Sequence, residues 1–164
     1  LKGLQDAIPY FRSRPDVDLL IAGAGEFDGT LRAQAAGAAN IRFLGHRSGA
    51  ELGALYQNAV ATLVPSLAYE ISPMVLGESW AHGTPVVSRR IGALGELVPK
   101  AGGGLCFDDA AAMNAILDRL VQNPEERNRL GRNGHEAWKR DWMPENNITL
   151  YLELVEAVRR EKHG

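Results

Sequence analysis

The chain of 164 residues holds one cysteine, Cys106, which excludes an internal disulfide framework. Its neighbours, Leu105 and Phe107, are apolar, so the thiol reads as a small buried hydrophobe, and the cysteine usage suits a reducing compartment. Long apolar runs are also lacking: no stretch approaches the roughly 20 residues that span a bilayer, and the start shows no signal-peptide pattern. Charge of either sign is not in excess, and a net charge of −2 argues against a nucleic-acid partner held by bulk electrostatics. Neither His46 nor His82 makes a metal-ligand spacing with Asp, Cys or another His. There is no nucleophile elbow, P-loop, Ser/His/Asp constellation, repeat, low-complexity segment or flexible linker. What is present, 45% apolar and 23% charged residues, is the composition of one soluble globular domain. The chain opens at Leu1 without a methionine and inside a helical pattern, so it is expected to be part of a larger protein.

Periodicity alternates. Leu4, Ala7, Ile8 and Phe11 are spaced as one face of a helix that Arg14-Pro15-Asp16 ends. Val17 to Ala22 reads as a buried strand closing on Gly23-Ala24-Gly25, with a helix from about Phe27 to Ala36. Ile41-Arg42-Phe43-Leu44 is a second short strand closed by Gly45, and Ser48 with Glu51 matches a capping box for a helix buried through Leu52, Leu55 and Tyr56. Further strands are expected at Ala61 to Val64, Pro85 to Ser88 and Gly104 to Phe107, with a helix from Pro73 and a short one near Glu96. After Asp108 the pattern is helical throughout: Met113, Ile116, Leu117 and Leu120 form one face, and Asn123-Pro124-Glu125-Glu126 is a strong helix start. Met143-Pro144 breaks that segment, and a last helix runs through Leu150, Leu154 and Val158 to a basic end.

Short strands alternating with helices indicate an α/β fold, a Rossmann-like parallel sheet with helices on both faces and a helical C-terminal tail. Right-handed crossovers place every strand-to-helix loop on one rim, where ligands of such sheets bind. That rim gathers Gly23 to Glu26, Gly45 to Arg47, Pro65 to Ser72 and Arg89 to Glu96, with Lys2 near it. Ala61 to Glu78 dominates it: a strand, a stop at Pro65-Ser66, a loop to Glu70, then a helix with Ser72 as N-cap, Pro73 at its first position and Glu78 on its body. A helix N-terminus offers free N–H groups and partial positive charge to a phosphate, and two carboxylates beside it suit sugar hydroxyls. Taken singly, each feature also fits a plainer role: Glu70 and Glu78 as surface glutamates, Lys2 as a solvated lysine, Gly23-Ala24-Gly25 as a tight turn, Arg89 and Arg90 as surface cations, His82 as a helix-end cation. Gly92 and Gly95 mark a tight turn before Glu96. The three tryptophans, Trp80, Trp138 and Trp142, sit among apolar neighbours and read as core.

The order of these features carries more than any one of them. Lys2-Gly3, Leu20 to Gly25, Ile41 to Gly45, Pro65-Ser66, Glu70, Glu78, Gly83-Thr84-Pro85-Val86-Val87 and Gly92 to Glu96 together resemble the donor-binding half of a retaining GT-B glycosyltransferase of family 4, the glycosyl transferases group 1. The hallmark is a glutamate pair separated by residues 71–77, with Pro-Ser before and Gly-Thr-Pro-Val-Val after. The resemblance runs through about Phe107. It implies that Glu70 lies beside the donor sugar's hydroxyls, that Glu78 binds the nucleotide's ribose and that Lys2 holds the diphosphate. It also implies that backbone around Ser72, Pro73, Met74 and Val75 approaches the phosphates, that Gly23 and Gly25 allow close approach, and that Gly45 and His46 line the base pocket. The implied donor is a UDP- or GDP-linked sugar. No metal and no resident cofactor is expected, because lysine, arginine and a helix end stabilise the leaving diphosphate.

Certain positions depart from the pattern. Ile71-Ser72-Pro73 replaces the common Gly-Phe-Gly, Ala93 replaces a glycine, and Gly77 stands where a large aliphatic is usual, making room for a close neighbour at a cost of about 1 kcal/mol in helix propensity. The family's upstream arginine, its first strand and its N-terminal acceptor domain are not in this sequence. Residues 1–164 are therefore expected to be a donor-binding fragment, inactive alone, whose acceptor (a glycan, lipid or small molecule) is bound by the other domain. The full-length protein is expected to be cytoplasmic, at most peripheral at the inner face of the membrane. The alternatives are a non-catalytic nucleotide-binding or scaffold domain, and another GT-B enzyme such as a sugar-nucleotide epimerase or a sucrose- or glycogen-synthase-like transferase. The Gly83 to Val87 context favours family 4 over the epimerase.

Overall fold

The structure, a computed structural model, describes residues 2–163. Five short parallel strands alternate with helices in the order α1 (Leu4–Ser13), β1 (Leu19–Ala22), α2 (Asp28–Gln34), β2 (Ile41–Gly45), α3 (Gly49–Asn58), β3 (Thr62–Val64), α4 (Met74–Ala81), β4 (Val86–Arg89), α5 (Gly92–Ala101) and β5 (Gly104–Phe107). Three helices follow: α6 (Ala110–Gln122), α7 (Pro124–Asp141) and α8 (Pro144–His163).

The strands do not make one continuous sheet, as the alternation predicts, but two parallel ladders, β1-β2 and β3-β4-β5. The ladders are joined by packing: Leu19, Ile21 and Ile41 of the first share a core cluster with Leu63, Val87 and Phe107 of the second and with Ile8 and Phe11 of α1. β4 is the most enclosed strand, with Val86, Val87 and Ser88 fully buried. Because successive side chains alternate, Val87 faces the cluster shared with α1 and α6, while Val86 faces Leu76 and Trp80 of α4 and Leu94 and Val98 of α5. Helices thus cover both faces. β1 is covered on one face only: Leu19 and Ile21 are buried, while Leu20 is exposed, so the run from Val17 is not the doubly buried strand its composition suggests.

Several local readings are amended. Ser48 occupies the N-cap of α3, but its side chain makes no capping bond among the described residues, and Leu52, Leu55 and Tyr56 are half-buried because α3 lies on the outside of α4. Cys106 is half-buried beside the Ser88 hydroxyl, 3.4 Å away. The glycines before Glu96 do not form a turn; α5 begins at Gly92, whose φ of +47° sits at the helix entry. At α7 the sequence signal holds in full: the Asn123 side chain accepts from the Glu126 amide and Pro124 follows it. Trp80 is buried, whereas Trp138 and Trp142 are half-buried at its edge. Along α8, Leu150, Leu154 and Val158 are exposed beyond its contact with α7. No helix among the described residues is long and apolar enough to cross a membrane.

Candidate functional site

The rim forms first at the entry to α1. Gly3 caps that helix with φ +71°, and a Cβ built on it would lie 1.9 Å from the Pro65 carbonyl oxygen. Only glycine fits there, on both counts. The close approach of α1 to the end of β3 sets Lys2 over the loop beyond Ser66, and its ammonium donates to Glu70 Oε1 at 2.5 Å. The buried Ser66 hydroxyl donates to the same oxygen at 3.1 Å. Lys2-Gly3, Pro65-Ser66 and Glu70, scattered in sequence, are therefore one cluster. The lysine's hydrogen bond, reinforced by Ser66 against partial burial, holds the Glu70 carboxyl below the ordinary carboxylate range. Both of these bonds go to Oε1.

The second part is α4. The helix starts one residue later than its sequence suggests: Pro73, not Ser72, is the N-cap, and Met74 is the first helical residue. Pro73 has no N–H and donates nothing, which leaves the amides of Ser72, Met74 and Val75 at this end. Ser72 and Met74 are exposed, so the end is accessible. One turn on, Glu78 projects from the exposed side of α4, and the Tyr56 hydroxyl of α3 donates to its Oε2 at 2.8 Å. Among the described residues each glutamate thus has one oxygen held by protein side chains. His82 ends the helix as its charge pattern suggests, with Nδ1 2.8 Å from the Glu78 carbonyl.

The third part is the pair of strand ends on the first ladder. Gly23 donates to the Gly45 carbonyl at 2.7 Å, and both have positive φ, +117° and +70°. A Cβ at Gly23, Gly25 or Gly45 would meet nothing within 4 Å among the described residues, so these glycines border open space instead of packed protein. His46 follows, exposed, its carbonyl accepting from Arg47 at 3.2 Å.

Two cations on the rim are committed elsewhere. Arg89 donates to Asp6 of α1 at 2.6 Å and lies over the Phe107 ring, while Arg90 pairs with Asp108 at 3.2 Å. Arg89 is thus a strut between α1 and β4, not an anion ligand in this arrangement. Gly92 lies under Tyr69, where a Cβ would sit 2.8 Å from the ring. Among the described residues no group of three or more His, Cys, Asp or Glu is placed to hold a metal. Concavities of about 490 Å³ beside Ile8, Pro9 and Arg12 and about 240 Å³ beside Trp80 and Trp142 are lined by other residues. Sequence reasoning missed two partners, Ser66 as a ligand of Glu70 and Tyr56 as a ligand of Glu78. The first had a signal in its place beside Pro65; the second lies on another helix and had none.

The departure at Gly77 has a physical cause. A Cβ there would lie 2.6 Å from Cε3 of Trp142, which packs edge-on against Trp80 at 5.9 Å. Trp80 in turn is seated against Gly103 and Gly134, where Cβ atoms would fall within 2.5 and 2.3 Å of its ring. The missing aliphatic is replaced by a tryptophan from the far end of α7.

Comparison with known proteins identifies the family and the fold. The model of the family described as glycosyl transferases group 1 matches residues 1–123. The phosphatidyl-myo-inositol mannosyltransferase of Mycobacterium leprae is 38% identical over 151 residues, 85% of this chain and 38% of that protein. Sucrose-phosphate synthase of Thermosynechococcus elongatus superposes with a TM-score of 0.79 at 26% identity, over 95% of this chain and 43% of that one. HepE of Anabaena, solved with UDP-glucose, superposes at 0.81 and 20% identity, over 97% and 45%, and speaks for the fold alone. The chain spans about two-fifths of the length of the curated relatives it matches. With a fold matching one half of a GT-B enzyme and three-quarters of its length matching the family model, the chain belongs to the glycosyl transferases group 1.

Proposed function

We propose that this chain is the donor-binding domain of a retaining glycosyltransferase that moves a sugar from a nucleoside diphosphate to an acceptor held by a second domain. The observation that carries the reading is the meeting of Lys2 with Glu70 beside the N-terminus of α4, with Glu78 one turn along its exposed side. In this reading the diphosphate lies at the amides of Ser72, Met74 and Val75, where the helix end and the Lys2 ammonium oppose its charge. Lys2 has three donors and only one is used by Glu70, so it serves both groups. Glu70 Oε2 accepts hydroxyls of the donor sugar, and Glu78 Oε1 accepts those of the ribose. Gly23, Gly25, Gly45 and His46 border the nucleoside. As the bond to the sugar breaks, negative charge grows on the diphosphate, and fixed positive groups stabilise that state more than the ground state. The reading needs no metal and no resident cofactor, and places the protein in the cytoplasm or at the inner membrane face. Membership of the glycosyl transferases group 1 supports the donor class, and HepE, which shares the fold, was solved with UDP-glucose.

Titration of the full-length protein with UDP and GDP, alongside turnover, tests this. Glu78→Ala is expected to weaken nucleotide binding about tenfold or more, by loss of hydrogen bonds to a charged acceptor. Glu70→Ala is expected to abolish turnover with nucleotide affinity largely kept. Unchanged affinity in the first and unchanged turnover in the second would remove each residue from its role.

A further inference from the structure

The geometry points to Tyr56 as a positioning residue that aims Glu78 at the ribose and so sets the preference for a ribonucleotide donor. This rests on the ribose role of Glu78 proposed above. Tyr56 is held at three places. Its carbonyl accepts from Thr84 Oγ1 at 2.6 Å, tying α3 to the turn before β4. Its ring stacks on His82, with centroids 5.6 Å apart and planes 23° from parallel. The His82 ring is itself pinned, between the Glu78 carbonyl on one side and Gly53 on the other, where a Cβ would lie 2.9 Å from Nε2. The hydroxyl donates to Glu78 Oε2 at 2.8 Å.

A glutamate on an exposed helix face otherwise samples several rotamers, and a ligand that needs one of them must order it on binding. A fixed phenol removes that cost in advance. It also decides which oxygen is held: the phenol engages Oε2, and in this reading Oε1 accepts from the ribose diol. Burial and the neighbouring carboxylate raise the phenol's pKa, so the hydroxyl remains a donor throughout the physiological range. Glycine at residue 53 and threonine at residue 84 belong to the same device, the first by admitting the His82 ring and the second by fixing the height of α3 against α4.

The test measures binding of UDP or GDP, whichever the full-length protein binds, and of its 2′,3′-dideoxy counterpart, to wild type, Tyr56→Phe, Glu78→Ala and the double variant. Phenylalanine keeps the ring stack and loses only the hydroxyl. Wild type is expected to favour the ribonucleotide. Tyr56→Phe is expected to weaken the ribonucleotide about three- to tenfold and leave the dideoxy compound unchanged. In the Glu78→Ala background the same substitution is expected to change neither. If Glu78→Ala collapses the preference and Tyr56→Phe leaves it intact, or lowers both ligands equally, the positioning role is wrong and the ribose role stands. If Glu78→Ala leaves the preference intact, both fall.

Discussion

Glu70 and Lys2 form a contact that the folded chain makes before any ligand arrives. A carboxyl whose folded pKa is depressed contributes stability above the unfolded group's titration and loses it as pH falls through the depressed value. The contribution is small, a fraction of about 1 kcal/mol, because Lys2 is largely exposed and the pair is screened. Urea unfolding of wild type and Glu70→Gln is therefore expected to show a slight difference near neutrality that shrinks to nothing below the ordinary carboxylate range. A difference that grows on acidification would contradict the pairing. Lys2→Ala is expected to weaken nucleoside diphosphate about tenfold, with a loss that diminishes at high salt, as an exposed charge contact requires. Calorimetry at two ionic strengths measures both.

At the scale of elements, glycine placement explains more than glycine count. Gly3→Ala combines a left-handed backbone with a Cβ only 1.9 Å from the Pro65 carbonyl oxygen, which cannot yield as a side-chain tip can. It is expected to cost about 2–4 kcal/mol in denaturant unfolding and to displace Lys2 from Glu70. Gly77→Leu restores the family's usual residue in α4, gains about 1 kcal/mol in helix propensity and still destabilises the chain, because Trp142 occupies the space. Pairing it with Trp142→Ala is expected to recover a large part of the loss, a coupling that a double-mutant cycle reads directly. Additive losses would show that the two sites do not share space. Asn123→Ala is expected to cost about 1 kcal/mol through loss of the α7 cap. These elements also show what was legible in the sequence. The strand and helix order, the Asn123 cap and the break at Met143-Pro144 were, because local chemistry decides them. The depth of α3, the exact start of α4 and the helical state of Gly92 to Glu96 were not, because they depend on contacts between elements distant in sequence and on backbone angles: α3 is half-buried against α4, Pro73 takes the N-cap, and Gly92 enters α5 under the Tyr69 ring.

In the whole molecule, topology brings distant residues to one rim. Parallel alternation predicted that gathering, and two of the meetings it implies are present: Lys2 reaches Glu70 across the chain, and Gly23 bonds Gly45. It did not predict two ladders in place of one sheet, since pairing across β1 and β3 leaves no trace in either strand's composition. Nor did it reveal which oxygen of each glutamate is engaged, which rests on Ser66 and Tyr56 at specific heights. The proposed function requires this rim to bind the diphosphate of a nucleotide sugar, and amide chemical-shift mapping with UDP and GDP is the most direct check. Perturbations are expected to concentrate at Gly23, Gly25, Gly45, Ser72, Met74 and Val75 and to weaken in Lys2→Ala, with the amides of Gly37 and Gly102 at the other strand edge unmoved. Saturable binding with perturbations centred away from the rim would contradict it.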